Sequence, residues 1–130
     1  MREWKYSDGT SFHSASSLHR MIRHSTTGKL YWFGNISGAP PRGNGPRYPL
    51  IMAEIDESAA AIRRETVTMI DDRDPNTHSL NFQLSNFSLF ENRETRNFEL
   101  FLTTYGQEKG HADWASADCY HYTLTFPTEK

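Results

Sequence analysis

At 130 residues and a formal net charge of −2, the chain has the size of one domain that can bury its own core. Charges of both signs are interspersed without a basic run, so a nucleic-acid partner has no electrostatic support. The one cysteine, Cys119, excludes an intrachain disulfide framework and reads as a structural thiol.

The N-terminus lacks the apolar run of a signal peptide. No window approaches the roughly 18 apolar residues of a membrane span. A soluble chain with no membrane partner is expected, and its compartment stays unassigned. Aromatic residues make up 13% of the chain. They favour sheets, mostly as strand packing.

Residues 18–24 predict a first strand. Ser25-Thr26-Thr27-Gly28 is a turn signal, with Gly28 free to take a positive φ. Residues 29–36 form a strongly aromatic strand. Residues 37–46 form a loop, because Pro40, Pro41 and three glycines exclude regular structure. Residues 48–55 read as a strand apolar on both faces, with Pro49 tolerable near its start. Ala59-Ala60-Ala61 predicts a helical turn within 57–64. A β-branched strand follows at 66–70, then a polar loop at 71–79.

The pattern then restarts. A strand is expected at 82–90 and a polar turn at 91–97. Residues 98–103 alternate, with Phe98, Leu100 and Leu102 on one face. A loop spans 105–116, and 119–126 alternates with Tyr120, Tyr122, Leu124 and Phe126 on one side. The tail after Pro127 reads as frayed. The halves correspond at an offset of 70, pairing Leu30 with Leu100 and Leu50 with Tyr120. A repeated meander indicates blades. A single sandwich of seven or eight antiparallel strands is the alternative arrangement.

Tyr6-Ser7-Asp8-Gly9-Thr10-Ser11-Phe12 resembles the Asp-box turn of sialidases, whose pattern is Ser-x-Asp-x-Gly-x-Thr-Trp. Gly9 and Phe12 match, Ser11 stands for the Thr, and Lys5 and Ser7 occupy the Ser and Asp positions. From about Ser14 the chain resembles the C-terminal part of sialidase-like proteins with BNR-type repeats. Residues 27–35, 47–56 and 83–89 carry that resemblance.

The resemblance implies an all-β fold of antiparallel four-stranded-meander blades, a partial β-propeller of about two blades. Residues 1–13 would end a preceding blade, 14–71 form a full one, and 72–130 supply a last, three-stranded one. Loops 13–17, 37–47, 71–81 and 105–116 would share the face that holds sialidase-like sites, with the Asp-box turn opposite.

Arg47 then stands where a guanidinium would grip a sugar carboxylate through paired hydrogen bonds. Arg42, Asn44, His13, Asp72 and Gln83 complete the expected substrate-binding set. No residue is assigned as catalytic. The place of the family's nucleophilic tyrosine reads Gln83-Leu84-Ser85-Asn86, Leu84 cannot attack, and Tyr105 lies in a different loop. The Asp71-Asp72 pair reads as solvated or paired with Arg73. No cofactor or metal is implied. The expectation is a sialidase-like, glycoside-hydrolase-like unit with a carbohydrate-binding face, not catalytically competent alone. The alternative is a non-catalytic β-sandwich binding carbohydrate or protein. A carbohydrate is the expected partner, an acidic sugar being the case Arg47 points to, with self-association through unpaired sheet edges.

Overall fold

The computed structural model describes residues 3–126, so the tail from Pro127 lies outside the described residues. The chain is all-β, with antiparallel pairing throughout its two sheets. The first sheet contains β1 (Arg20–Arg23), β2 (Leu30–Asn35), β3 (Leu50–Asp56), β4 (Ala61–Ile62) and β5 (Thr68–Asp71). They run as a β1-β2-β3 meander whose far side is shared. There β4 pairs with the end of β3 at Ile55 and Asp56, while β5 pairs with its start at Leu50–Met52. The second sheet is a meander of β6 (Ser88–Glu91), β7 (Phe98–Thr103) and β8 (Cys119–Leu124).

The two meanders repeat one another in detail. Strands β1, β2 and β3 begin at residues 20, 30 and 50, and β6, β7 and β8 at 88, 98 and 119, so the second unit trails by 68 to 69 residues. This corrects the offset of 70: Leu30 corresponds to Phe98, and Leu50 to Cys119. The pairing registers agree, since Phe33 faces Met52 as Phe101 faces His121.

The hairpin turns agree too. His24 N–H donates to Lys29 O and Gly28 N–H to His24 O; Asn92 N–H donates to Asn97 O and Arg96 N–H to Asn92 O. The fifth residue is left-handed in both, Gly28 at φ 71° and Arg96 at φ 63°. Each is a four-residue loop that closes an antiparallel pair.

Two expected elements differ. Residues 57–64 do not form a helical turn. The Asp56 carboxylate accepts the Ser58 and Ala59 amides, Ala60 turns left-handed at φ 51°, and the chain returns as β4. A local carboxylate–amide turn outcompetes alanine's helix propensity there. The expected strand 82–90 begins only at Ser88. Asn86, at φ 54°, interrupts it, and residues 82–87 form an irregular floor that buries Phe82, Leu84 and Phe87.

Two apolar layers hold the fold together. Tyr31, Phe33 and Leu50 on one face of the first sheet pack against Leu89, Leu100 and Leu102 of the second, with Phe82, Leu84 and Phe87 in the same cluster. Burying each such side chain contributes about 1.5–3 kcal/mol. The other face of the first sheet, with Trp32, Ile51, Ala53 and Ile55, is covered by Trp4, Tyr6 and Phe12. Gly34 makes room there, because a Cβ at that position would sit 2.5 Å from the Trp32 ring.

Polar links cross between the units at both ends. His24 Nε2 lies 2.7 Å from Arg96 O, and the Ser25 amide donates to Glu91 at 2.7 Å. Cys119 is exposed, which corrects its reading as a structural thiol. Strand alternation turns it outward at the start of β8, whose burial alternates along its length.

Candidate functional site

The loop joining β2 to β3 reaches the second unit at Arg47. Its Gly45–Pro46 and Tyr48–Pro49 peptide bonds are both cis. The Leu84 amide donates to Arg47 O at 2.9 Å, and the Gln83 amide donates to Tyr105 O at 3.0 Å. Three separate loops therefore meet around Gln83. A fourth joins them, since the Ser16 amide donates to Gly43 O at 3.1 Å.

Between these loops lies a cleft of about 340 Å³, whose lining includes Arg42, Asn44, Arg47, Asn81, Gln83 and Tyr105. Four of the expected binding residues, Arg42, Asn44, Arg47 and Gln83, thus share one hollow. His13 and Asp72 do not line it. His13 is held through its carbonyl, which accepts the Ser37 amide, and its side chain is exposed. Asp72 is exposed and accepts the Arg73 amide.

The Arg47 side chain is half-buried and oriented. Its Nε donates to Asn44 O at 2.8 Å, and one terminal nitrogen lies 3.4 Å from Gln83 Oε1. Among the described residues no carboxylate lies within ion-pair distance of Arg47 or Arg42. The cleft lining carries no carboxylic acid. Beside the lining, Asp113 accepts Asn81 Nδ2 at 2.9 Å. Hydrogen bonds from Ser79 and Asn81 hold its carboxyl below the usual aspartate range.

The Asp71-Asp72 pair does not work as a unit. Asp71 accepts the Tyr122 hydroxyl from β8, so it joins the sheets. Burial, with that carboxylate beside it, pushes the Tyr122 phenol well up. Arg73 turns instead to the carbonyls of Ser79 and His78 and lies over the Tyr48 ring. Leu84 is fully buried.

Two residues that matter here stood outside the expected binding set. Asn35 ends β2 and is 1% exposed. Its Nδ2 donates to Pro49 O at 3.1 Å and to Leu84 O at 3.0 Å, and its Oδ1 accepts the Ser17 hydroxyl. It therefore fixes the strand after Arg47 against the segment after Gln83. Tyr105 lies beside Gln83 although it comes from another loop. Loop-sharing along one sheet end was the sequence signal that could have placed it.

At the opposite end, a hollow of about 410 Å³ is lined by Glu3, Lys5, Tyr6, Ser7, Gly9 and Ala59–Ala61. Its one cation, Lys5, already has Glu3 at 3.9 Å. Unlike the cleft at the loop end, it has no arginine in its lining. Asp8 in the neighbouring turn accepts Thr10 and Arg64, and those bonds hold its carboxyl low. Among the described residues no cluster of three or more His, Cys, Asp or Glu side chains is arranged for a metal, and no helix is long and apolar enough to cross a membrane. No protein-family model, curated protein or solved structure matches the chain.

Proposed function

We propose that the cleft around Arg47 binds an acidic sugar and that the two sheets are blades of a sialidase-like propeller. The observation that carries the binding reading is the oriented Arg47 guanidinium without a carboxylate partner among the described residues. A guanidinium fixed at Nε, with terminal nitrogens toward a polar hollow, suits a planar carboxylate. Asn44, Asn81 and Gln83 supply amides for sugar hydroxyls, and Tyr105 an aromatic edge. The role is binding rather than hydrolysis. Glycoside cleavage needs a positioned acid and a second group to attack or activate water, and the cleft lining offers no carboxylic acid.

Support for blades comes from how the repeat stacks. The face of the first sheet bearing Phe33 and Leu50 packs on the second sheet's face bearing Leu100 and Tyr122. By register these are opposite faces of the repeat, since Phe33 corresponds to Phe101 and Trp32 to Leu100. Successive units thus stack front to back, as rotation about an axis produces. A sandwich of two related halves would bring like faces together. The sandwich module remains the second reading, favoured by residues 3–17 closing the first sheet's other face.

Titration of the protein with N-acetylneuraminic acid and with galactose, followed by NMR shifts, tests the site. Binding of the acid near ~1 mM, weakened at least ~10-fold in Arg47→Ala, is expected for an open site held by one charged pair. Equal binding by both proteins, or a preference for galactose, would remove Arg47 from the role. No release of fluorophore from an aryl sialoside is expected.

A further inference from the structure

The turn that carries Arg42 and Arg47 into the cleft also holds a reactive pair of residues, Asn44 and Gly45. Arg42 and Gly45 pair across Gly43 and Asn44, with Arg42 N–H donating to Gly45 O at 2.9 Å and Gly45 N–H to Arg42 O at 3.3 Å. Asn44 is exposed, and its side-chain amide has no hydrogen-bond partner among the described residues. Every other asparagine of the chain is followed by Ile, Thr, Phe or Arg. Such a side chain shields its own backbone nitrogen. Gly45 has none, and the space where a Cβ would stand is empty out to 4 Å.

The Asn44–Gly45 peptide group is polarised as well as bare. Its carbonyl oxygen accepts Arg47 Nε at 2.8 Å, a charge-assisted bond. Removing the Gly45 amide proton spreads negative charge onto that same oxygen through the peptide resonance. The guanidinium therefore sits where charge develops, as a preorganised donor does in an oxyanion site. The opposing feature, the Gly45 N–H bond to Arg42 O, is the longer of the turn's two bonds and holds its proton the more weakly.

We infer that Asn44 is a site of spontaneous deamidation, promoted by Arg47, and that the product closes the cleft to anions. A hydroxide ion or buffer base takes the Gly45 amide proton, and the nitrogen attacks Asn44 Cγ. The new C–N bond forms as the side-chain nitrogen leaves as ammonia, protonated by water, and a succinimide ring results. Water then opens the ring at either carbonyl, giving aspartate or isoaspartate. Asparagine and water are consumed, an acid and ammonia are released, and nothing is oxidised or reduced. The new carboxylate stands in a lining that holds Arg42 and Arg47 and no carboxylic acid. It supplies the ion-pair partner these guanidiniums lack and competes with an anionic ligand. The cleft thus ages from an anion-binding form to a self-neutralised one. The consequence for ligands rests on the acidic-sugar reading; the chemistry at Asn44 does not.

Incubation of the protein in mildly alkaline buffer, followed by peptide mapping with mass spectrometry, tests the chemistry. Asn44 is expected to lose its amide before any other asparagine. Arg47→Ala is expected to slow that loss about 10-fold, the value of one charge-assisted hydrogen bond to the developing charge. Arg47→Gln keeps the stem and removes the charge, and serves if Arg47→Ala fails to fold. An Asn44 amide in the wild type that lasts as long as that of exposed Asn76 overturns the inference. So does loss at an unchanged or greater rate in the folded variant. In Asn44→Asp, an NMR pH titration should find the new carboxyl below the ordinary aspartate range, because the arginines favour its charged form. Titration at the ordinary value overturns the closing of the cleft. A wild type that fails to bind N-acetylneuraminic acid would overturn the sugar reading and leave both measurements as they are.

Discussion

The two ends of the sheets treat their arginines differently. At the turn end, Arg23 forks onto Glu57, Arg64 meets Asp8, Arg96 meets Glu91, and Arg63 lies between Glu54 and Asp56. At the loop end, Arg42 and Arg47 line a hollow with no carboxylate in reach among the described residues. Arg73 turns to carbonyls. The turn end spends its guanidiniums on closing hairpins. The loop end leaves Arg42 and Arg47 without an ion pair among the described residues, as the proposed binding role requires.

The largest expected effect comes from breaking the support beneath the loop end. Asn35→Leu strips the carbonyls of Pro49 and Leu84 of a buried donor, at a cost of about 2–4 kcal/mol for the pair. Urea unfolding measures it, and a loss below ~0.5 kcal/mol would show that Asn35 does not support the cleft. Next in size, Arg47→Ala is expected to cost about 1.5–3 kcal/mol of acidic-sugar affinity. The urea midpoint should barely move, since no ion pair is lost. A large drop in stability would make Arg47 a structural residue like those at the other end.

Smaller effects belong to the turn end. Glu91 collects the Ser25 amide and hydroxyl and the Arg96 guanidinium across the two units. Burial alone would raise its carboxyl, but the Ser25 bonds, the nearby His24 and the Arg96 bond outweigh it and leave it low. A carboxyl held low in the folded state adds stability above its ordinary value. That stability disappears as pH falls through the folded value. Acid should therefore loosen the turns at 24–29 and 92–97 first, seen as early loss of amide protection there. Glu91→Gln should reproduce part of this at neutral pH, at about 1–2 kcal/mol. The smallest effect is expected for Arg64→Ala, whose partner Asp8 is exposed, at no more than ~1 kcal/mol. Thermal melting checks it, and a larger loss would mean that its place over the Tyr6 ring matters more than the ion pair.

Much of the strand order was legible because alternation and turn residues act locally. Phe98, Leu100 and Leu102 announced β7 through their period, and Gly28 announced the first hairpin. Ala59–Ala61 misled because alanine's helix preference is weak beside one well-placed Asp56 carboxylate. Residues 82–87 misled because apolar residues spaced like Phe82, Leu84 and Phe87 do not say whether their backbone bonds go to a neighbouring strand. Around the cleft, Arg42, Asn44 and Arg47 were expected from the loop face that the resemblance implied, whereas Gln83 was expected on a strand, at the place of the family's nucleophile. Asn35 was not expected, since one of its two carbonyl partners is at position 84, which only the packing of the second unit brings near it.

Asn35 also has a thermodynamic consequence. The cleft has no wall of its own: its sides belong to different sheets, sewn together by one amide side chain and by the Arg47–Leu84 backbone bond. A molecule that grips Arg47 and Gln83 at once acts as a staple across that seam. Occupancy is then coupled to global unfolding, and ligand at ~100 times its dissociation constant adds about 2.7 kcal/mol to the whole domain. If the proposed site binds a sugar, a melting screen against a sugar library registers it by the rise in temperature alone, with no activity to follow.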